Sequence, residues 1–318
     1  MKHGIKLDLE FLAIVLGAGI LAYFITGNLV SNALFTALIS LLFFLMGLHL
    51  DIDELKKCGQ HQKEVATGMA MVYIFTPLLA FMLFTITGGP LGDAFIAIGV
   101  SAAAIGSPVV FSNLSKGEGS LALMTAGISL LAGFVVIPLL LLGFGATLPV
   151  QDIAVNNLVF MAVPLLTGIF AQRFENVILE DMRHHFSKVG LWLLVLVMLV
   201  QFRIVYQSEG LSFLGQASGA VFLMAGFVMA SYAVAHLVSR FLKFSEPQSR
   251  AIGFVASSKS LAISLFIASQ ISGAAVAYVS MYYFVRQAVT GGIMELHRHD
   301  ELRSLKRFFS RVEGWLTG

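Results

Sequence analysis

The chain is poor in the residues on which soluble enzymes rely. It has a single cysteine, Cys58, in 318 residues. That excludes an intramolecular disulfide and any cysteine-rich metal site. Charged residues make up only 12% of the chain, against about 25% in a typical soluble domain. No HExxH, P-loop or dinucleotide-binding glycine fingerprint is present. The eight histidines are scattered. The closest of them, His184 with His185 and His297 with His299, fall in charged segments. No Asp or Glu stands in the middle of an apolar run; each lies in a loop, in a tail or near the end of an apolar stretch. These absences give no basis for an enzyme, a resident metal or cofactor, or a nucleic-acid partner.

What the chain has in abundance is apolar sequence. Hydrophobic residues make up 58% of it, and the mean hydropathy is +0.87. The expected class is an all-α integral membrane protein in contact with the bilayer. A crossing takes about 20 apolar residues. On that count ten spans are expected, at 10–26, 31–50, 65–87, 93–115, 120–146, 152–171, 189–206, 217–241, 250–273 and 274–296. The leader MKHGIKLDLE reads as the start of a retained first helix rather than a cleaved signal.

Charge distribution orients these spans. Putting the N-terminus, alternate loops and the tail on one side collects 17 of the 20 Lys and Arg there. The positive-inside rule then places both termini in the cytoplasm of a multi-pass protein of the inner or plasma membrane. The tail, 297–318, spaces Leu302, Leu305, Phe309, Val312 and Leu316 among basic residues. It reads as a helix on the anionic leaflet, or equally as a solvated one.

Five spans fill residues 1–150 and five fill 151–296. An odd number per half inverts the second half relative to the first. In each half the fourth span is interrupted by small polar residues, Gly106-Ser107-Pro108 in one and Ser257-Ser258-Lys259 in the other. Paired interruptions in inverted repeats mark a midplane transport site. A broken helix frees backbone groups that hydrocarbon cannot satisfy and a ligand can.

Lys259 is the first candidate. A lysine at the middle of a membrane helix costs roughly 2.5 kcal/mol or more. It either binds an anionic substrate, stands where a coupling cation would sit, titrates, or is a structural cation bonded to carbonyls of the broken fourth helix. Ser257, Ser258 and Ser260 flank it. In the fourth span, Ser107, Ser112 and Asn113 offer hydrogen bonds, and Pro108 is expected to open the helix by removing a donor. In the tenth, Arg286 and Gln287 are intramembrane, and the nearest acid in sequence is Glu295. The cavity is therefore expected to be net positive, unless Arg286 faces headgroups or a carbonyl. Thr76, Gln201, His49 and His236 read as interhelical hydrogen bonds, and Pro77, Pro138 and Pro164 as kinks.

Three stretches carry a resemblance: LLFFLMGLHLDIDELKK (41–57), IGSPVVFSNLSKGEGSLALMTAGISLLAGFVVIPLLLL (105–142) and VASSKSLAISL (255–265). They resemble the bile acid:sodium symporter superfamily, closest to its sodium-symporter-like branch with a lysine in the ninth helix. The resemblance implies ten helices. A panel domain would hold helices 1, 2, 6 and 7; a core domain would hold 3, 4, 5, 8, 9 and 10, with the fourth and ninth broken and crossed. It also implies sodium sites that this sequence lacks. Phe254, Ser258 and Lys259 stand at the positions of an acid and a Gln-Asn pair, and Pro108 and Val109 at those of a Ser-Asn pair. Phe284-Val285 replaces a His-Pro of the branch.

The function that follows is a secondary transporter or facilitator of a small organic anion, working by alternating access without the usual sodium sites. Proton coupling is open. The alternatives are a monovalent cation/proton antiporter, which needs a midmembrane Asp, and a membrane sensor that does not transport. A Ser/Lys hydrolase is disfavoured because neighbours on a helix point apart. The sequence carries no signal for an oligomeric state.

Overall fold

The computed structural model describes residues 32–50, 57–143, 150–173 and 217–298, with isolated positions at 52 and 55 and between 189 and 203. The expected first span lies outside these residues, and so do the basic tail beyond residue 298 and half of the expected seventh span. Among the described residues the chain is helical apart from short connections and breaks, with one isolated backbone bridge and no strand.

The helices are α1 (Asn32–His49), α2 (Gln62–Thr87), α3 (Gly89–Val100) and α4 (Gly106–Leu114). They continue with α5 (Gly119–Gly143), α6 (Gln151–Ala171), α7 (Ala217–Phe241) and α8 (Glu246–Ser257). The last are α9 (Leu261–Ile271) and α10 (Gly273–Arg298). Within α2, α5, α6 and α7 lie stretches long and apolar enough to cross a membrane. Helices α1, α3 and α9 contain shorter apolar segments. Exposed Ile74, Leu78, Ile86, Val135, Leu139, Phe222 and Phe241 give these helices an apolar outer surface.

Local chemistry sets the boundaries. Gly88 and Gly89 have φ of 60° and 51°, a left-handed turn that glycine enters without a Cβ penalty. It folds α3 back onto α2, with which it packs. Ser245 opens α8 with a capping box, its hydroxyl accepting from Gln248 N while Gln248 accepts from Ser245 N. Pro247 sits in the first turn, where its missing N–H is harmless. Lys116 and Lys243 are left-handed at φ 60° and 63°, each just past the end of a helix, α4 and α7. The two turns touch: Glu118 N donates to Pro247 O at 3.0 Å, and Arg250 Nη1 donates to Ser115 O at 2.6 Å.

Packing relies on close backbone approach, as expected where lipid removes the hydrophobic drive between helices. A Cβ on Gly47 of α1 would lie 2.2 Å from Leu165 O of α6. A Cβ on Gly168 of α6 would lie 2.2 Å from Phe44 O of α1. Gln172 Nε2 closes the same contact by donating to Gly47 O at 2.6 Å and Leu50 O at 3.0 Å. The helices α2–α5 and α7–α10 pack among themselves around the two interrupted spans.

Those interruptions are real, but one is displaced from the sequence expectation. The fourth span breaks at Ser101–Ile105, not at Gly106-Ser107-Pro108. Gly106, Ser107 and Pro108 are the first three residues of α4. Pro108 therefore does not open a continuous helix. It occupies a first-turn position whose N–H has no intrahelical acceptor in any case. The ninth span breaks at Ser258–Ser260, within a residue of the expectation.

Candidate functional site

The two breaks meet as antiparallel backbone. Ala104 N donates to Ser258 O at 2.7 Å, and Ser260 N donates to Ala102 O at 2.8 Å, forming the bridge between Ala103 and Lys259. Ala103 N is satisfied by Ser129 Oγ of α5 at 3.1 Å. Tyr73 of α2 in turn donates to Ser129 O. Unwound backbone at this depth is thus paired with its counterpart and with side chains, as a buried break requires.

The crossing sorts helix ends by polarity. The C-termini of α3 and α8 arrive together at the breaks, and so do the N-termini of α4 and α9. Each C-terminus carries an effective charge of about −0.5, each N-terminus about +0.5. Lys259 goes to the negative ends. It is 1% exposed. Its ammonium donates to Val72 O at 2.8 Å, Ser101 O at 2.9 Å and Gly99 O at 3.0 Å. An ammonium has three donors, and each has a carbonyl.

The sequence explains why those carbonyls are free. Met71–Phe75 is a π turn inside α2, and Thr76 N reaches back five residues to Met71 O. Val72 O would then accept from residue 77, which is Pro77 and has no N–H. Thr76 Oγ1 takes one share of Val72 O at 2.7 Å and leans on Gly99 O at 3.4 Å; Lys259 takes the other. Gly99 O is an orphan of the α3 C-terminus, because Ala103 N has gone to Ser129. Ser101 lies in the break itself.

The flanking serines divide. Ser257 Oγ bonds back to Phe254 O at 3.2 Å. Ser260 caps α9, its hydroxyl accepting from Ile263 N at 3.5 Å. Ser258 Oγ is buried and has no partner among the described residues. Ser264 ties the breaks together by donating to Ser101 Oγ at 3.0 Å. Phe254 packs on Phe111 and Tyr232 at ring-centroid distances of 5.8 Å and 4.9 Å.

The uncapped N-terminus is that of α4, which no side chain caps. Arg286 of α10 lies beside it, 2% exposed, with Nη1 donating to Ser107 Oγ at 2.8 Å. Its guanidinium lies 5.0 Å from the Tyr283 ring centroid, and its Nε is buried without a partner among the described residues. Gln287 Oε1 is likewise buried and unpartnered. Tyr282, one turn before Arg286, donates to Ser257 O at 3.2 Å, so α10 touches a helix end beside each break.

Of the residues singled out in the sequence, the crossing gathers Lys259, Ser257, Ser258, Ser260, Ser107, Pro108 and Arg286, with Gln287 next along α10. Ser112 and Asn113 stand at the far end of α4. Ser112 is buried near Gly117, and the Asn113 carboxamide covers Gly119, where a Cβ would lie 2.0 Å from Oδ1. Sequence reasoning missed the carbonyls of Val72, Gly99 and Ser101, and the two serines that brace the crossing, Ser129 and Ser264. The Thr76-Pro77 pair was a usable signal, since a threonine followed by proline in an apolar helix points to a displaced carbonyl. The carbonyls themselves belong to any residue type and leave no trace in sequence.

No cluster of metal-ligating side chains exists among the described residues. The arrangement is instead a buried crossing with one cation held by carbonyls and a second beside an open helix N-terminus. Two curated proteins are similar to this chain in sequence. A rice protein (Oryza sativa subsp. japonica) named "Probable sodium/metabolite cotransporter BASS2, chloroplastic" is 24% identical over 74% of this chain and 57% of its own length. This chain thus spans little more than half of the rice protein. A zebrafish protein (Danio rerio) named "Sodium/bile acid cotransporter 7" is 24% identical over 71% of each chain. Residues 10–297 match the SBF-like CPA transporter family. A match of that extent means that the chain belongs to the SBF-like CPA transporter family.

Proposed function

We propose that the protein is a secondary transporter or facilitator of a small organic anion that works without the family's usual sodium sites. The observation that carries this is the Lys259 ammonium, bonded to three backbone carbonyls at the crossing. Carbonyl oxygens at negative helix ends are what a midplane coupling cation binds. Here a covalently attached cation sits on them. A second cation in that place would meet about 4 kcal/mol of repulsion at 4 Å even at an effective dielectric constant of 20. The two relatives are named as sodium cotransporters; this chain keeps the charge and gives up the ion. A proton on Lys259 remains the one coupling ion that the same site admits.

The proposed architecture is ten membrane helices in two inverted repeats, 1–150 and 151–296, followed by a basic tail. The crossed breaks, and the close packing of α1 on α6 through Gly47 and Gly168, support a panel and a core. Both termini would be cytoplasmic in a cell membrane, by the distribution of Lys and Arg. Substrate anions are favoured because Arg286 has no carboxylate partner among the described residues.

The test is uptake into proteoliposomes of labelled carboxylates, from lactate to glycocholate, with external sodium replaced by N-methylglucamine. Uptake of at least one anion is expected, at equal rates in both media. An absolute need for sodium would overturn the sodium-free reading. Cation-driven proton flux without anion uptake would favour the antiporter.

A further inference from the structure

We infer that the protein carries an acid-sensitive latch at the end of the helices away from the crossing. A proton on His236 of α7 draws Glu246 from Arg250 and so loosens the hold of α8 on the C-terminal end of α4. The device lies outside the crossing and does not depend on the identity of the substrate.

Arg250 makes the latch. Its Nη1 donates to Ser115 O, a carbonyl just past the end of α4, at 2.6 Å. Helix ends leave such acceptors without an intrahelical donor. Arg250 is buried, and a buried guanidinium needs a counter-charge. Glu246, one turn earlier in α8, supplies it. Its Oε1 accepts from Arg250 Nε at 3.2 Å and lies 3.2 Å from Nη2.

His236 competes for that same oxygen. Its Nε2 lies 3.9 Å from Glu246 Oε1, beyond hydrogen-bond distance but within reach of a small torsional change. Glu246 Oε2 lies 3.3 Å from Arg240 Nη1. One carboxylate thus balances two guanidinium groups, and an imidazolium would be a third cation on it. His236 Nδ1 is buried and has no partner among the described residues. Burial alone would push the Glu246 carboxyl up, but the charges of His236, Arg250 and Arg240 outweigh it and hold it below the usual carboxylate range. Glu246 therefore stays ionised where an ordinary histidine changes charge, at about 6.5.

The remaining ionisable neighbours do not supply another anion. Within α7, Tyr232 stacks on His236 at 5.8 Å with 9° between the rings. From α10, the His297 ring lies 5.9 Å from His236, and Glu295 stands about 200° round that helix from His297. From α2, His61 lies 3.7 Å from Glu118, and neither Lys63 nor Glu64 pairs with His236 among the described residues. His297 Nε2 is 2.7 Å from Tyr232 Oη, and a phenol that donates and accepts serves it in either charge state. His236 has no such partner. Its proton adds a charge that only Glu246 can balance, at the expense of Arg250, so the latch is lost as pH falls through the histidine range. Ser107 is at the other end of α4, so loosening Ser115 acts on the helix that enters the crossing.

The test is amide hydrogen exchange of the purified full chain in detergent, read by mass spectrometry at about pH 8 and about pH 5.5, with times scaled for intrinsic exchange. Amides from Ser115 to Glu118 report the latch. Those from Gly88 to Gly92, in the turn between α2 and α3, serve as the reference. At the lower pH the wild type should lose protection at the latch relative to the reference. His236→Gln, which does not titrate, should keep its protection at both pH values. His236→Phe, which also keeps a ring stacked on Tyr232, should do the same. His297→Gln should respond as the wild type does, and Arg250→Gln should lack protection at the latch at both pH values. The latch is overturned if the wild type is equally protected at both, or if both His236 variants keep the wild-type loss. It is also overturned if His297→Gln abolishes the response, or if Arg250→Gln folds with full protection at Ser115 to Glu118.

Discussion

A lysine buried among three carbonyls is stabilised by hydrogen bonds and helix ends rather than by an acid. Removing it therefore leaves orphaned acceptors instead of an unpaired charge. Lys259→Met keeps the length and volume of the side chain. It strips Ser101 O of its donor and leaves Val72 O and Gly99 O to share the single Thr76 hydroxyl proton. At about 1–3 kcal/mol for a buried group left unsatisfied, the variant should be destabilised by about 3 kcal/mol, read as a lower Tm. A Tm equal to that of the wild type would mean that the carbonyls are satisfied in some other way. Thr76→Val removes the hydroxyl that shares two of the same acceptors and changes volume little. It should cost about 1 kcal/mol, less than Lys259→Met, because the ammonium stays. If the order of the two losses were reversed, the threonine rather than the lysine would be the centre of the cage.

At the scale of elements, the cage depends on how closely α3 approaches α2. A Cβ on Gly99 would lie 2.2 Å from Ala80 Cβ and 3.2 Å from Thr76 O. Gly99→Ala must push the two helices apart and carry one of the Lys259 acceptors with it. A loss of about 1–3 kcal/mol is expected from overpacking; a neutral substitution would show that the contact is looser than described. The sequence made most of this level legible. Apolar runs located the described spans to within a few residues, and α7 is the span expected from them. The break in the fourth span was misplaced because proline was taken as the breaking residue. The chain unwinds earlier, over Ser101–Ile105, where Ala102 and Ala104 pair with the ninth span. That unwinding is stabilised by tertiary backbone bonds, and no residue type announces those. For the same reason Lys259 was legible as a site while its acceptors were not.

For the whole molecule, the proposed alternating access would require the body containing α6 to move relative to the one containing α9. Asn156 of α6 donates to Gln270 of α9 at 3.0 Å, a contact between the two. In a Cys58→Ser background, Asn156→Cys with Gln270→Cys should cross-link and stop uptake, and reduction should restore it. Uptake unaffected by complete cross-linking would mean that these bodies do not separate during transport. The account as a whole turns on whether a tethered ammonium has replaced a coupling ion. The most direct measurement is the Tm of the wild-type protein titrated with sodium chloride against choline chloride at equal ionic strength, with Lys259→Ala run alongside. Ligand stabilisation follows occupancy of the folded state. The wild type should show no difference between the two salts, and Lys259→Ala, with its carbonyls vacated, should be stabilised by sodium alone. Sodium-specific stabilisation of the wild type would contradict the account.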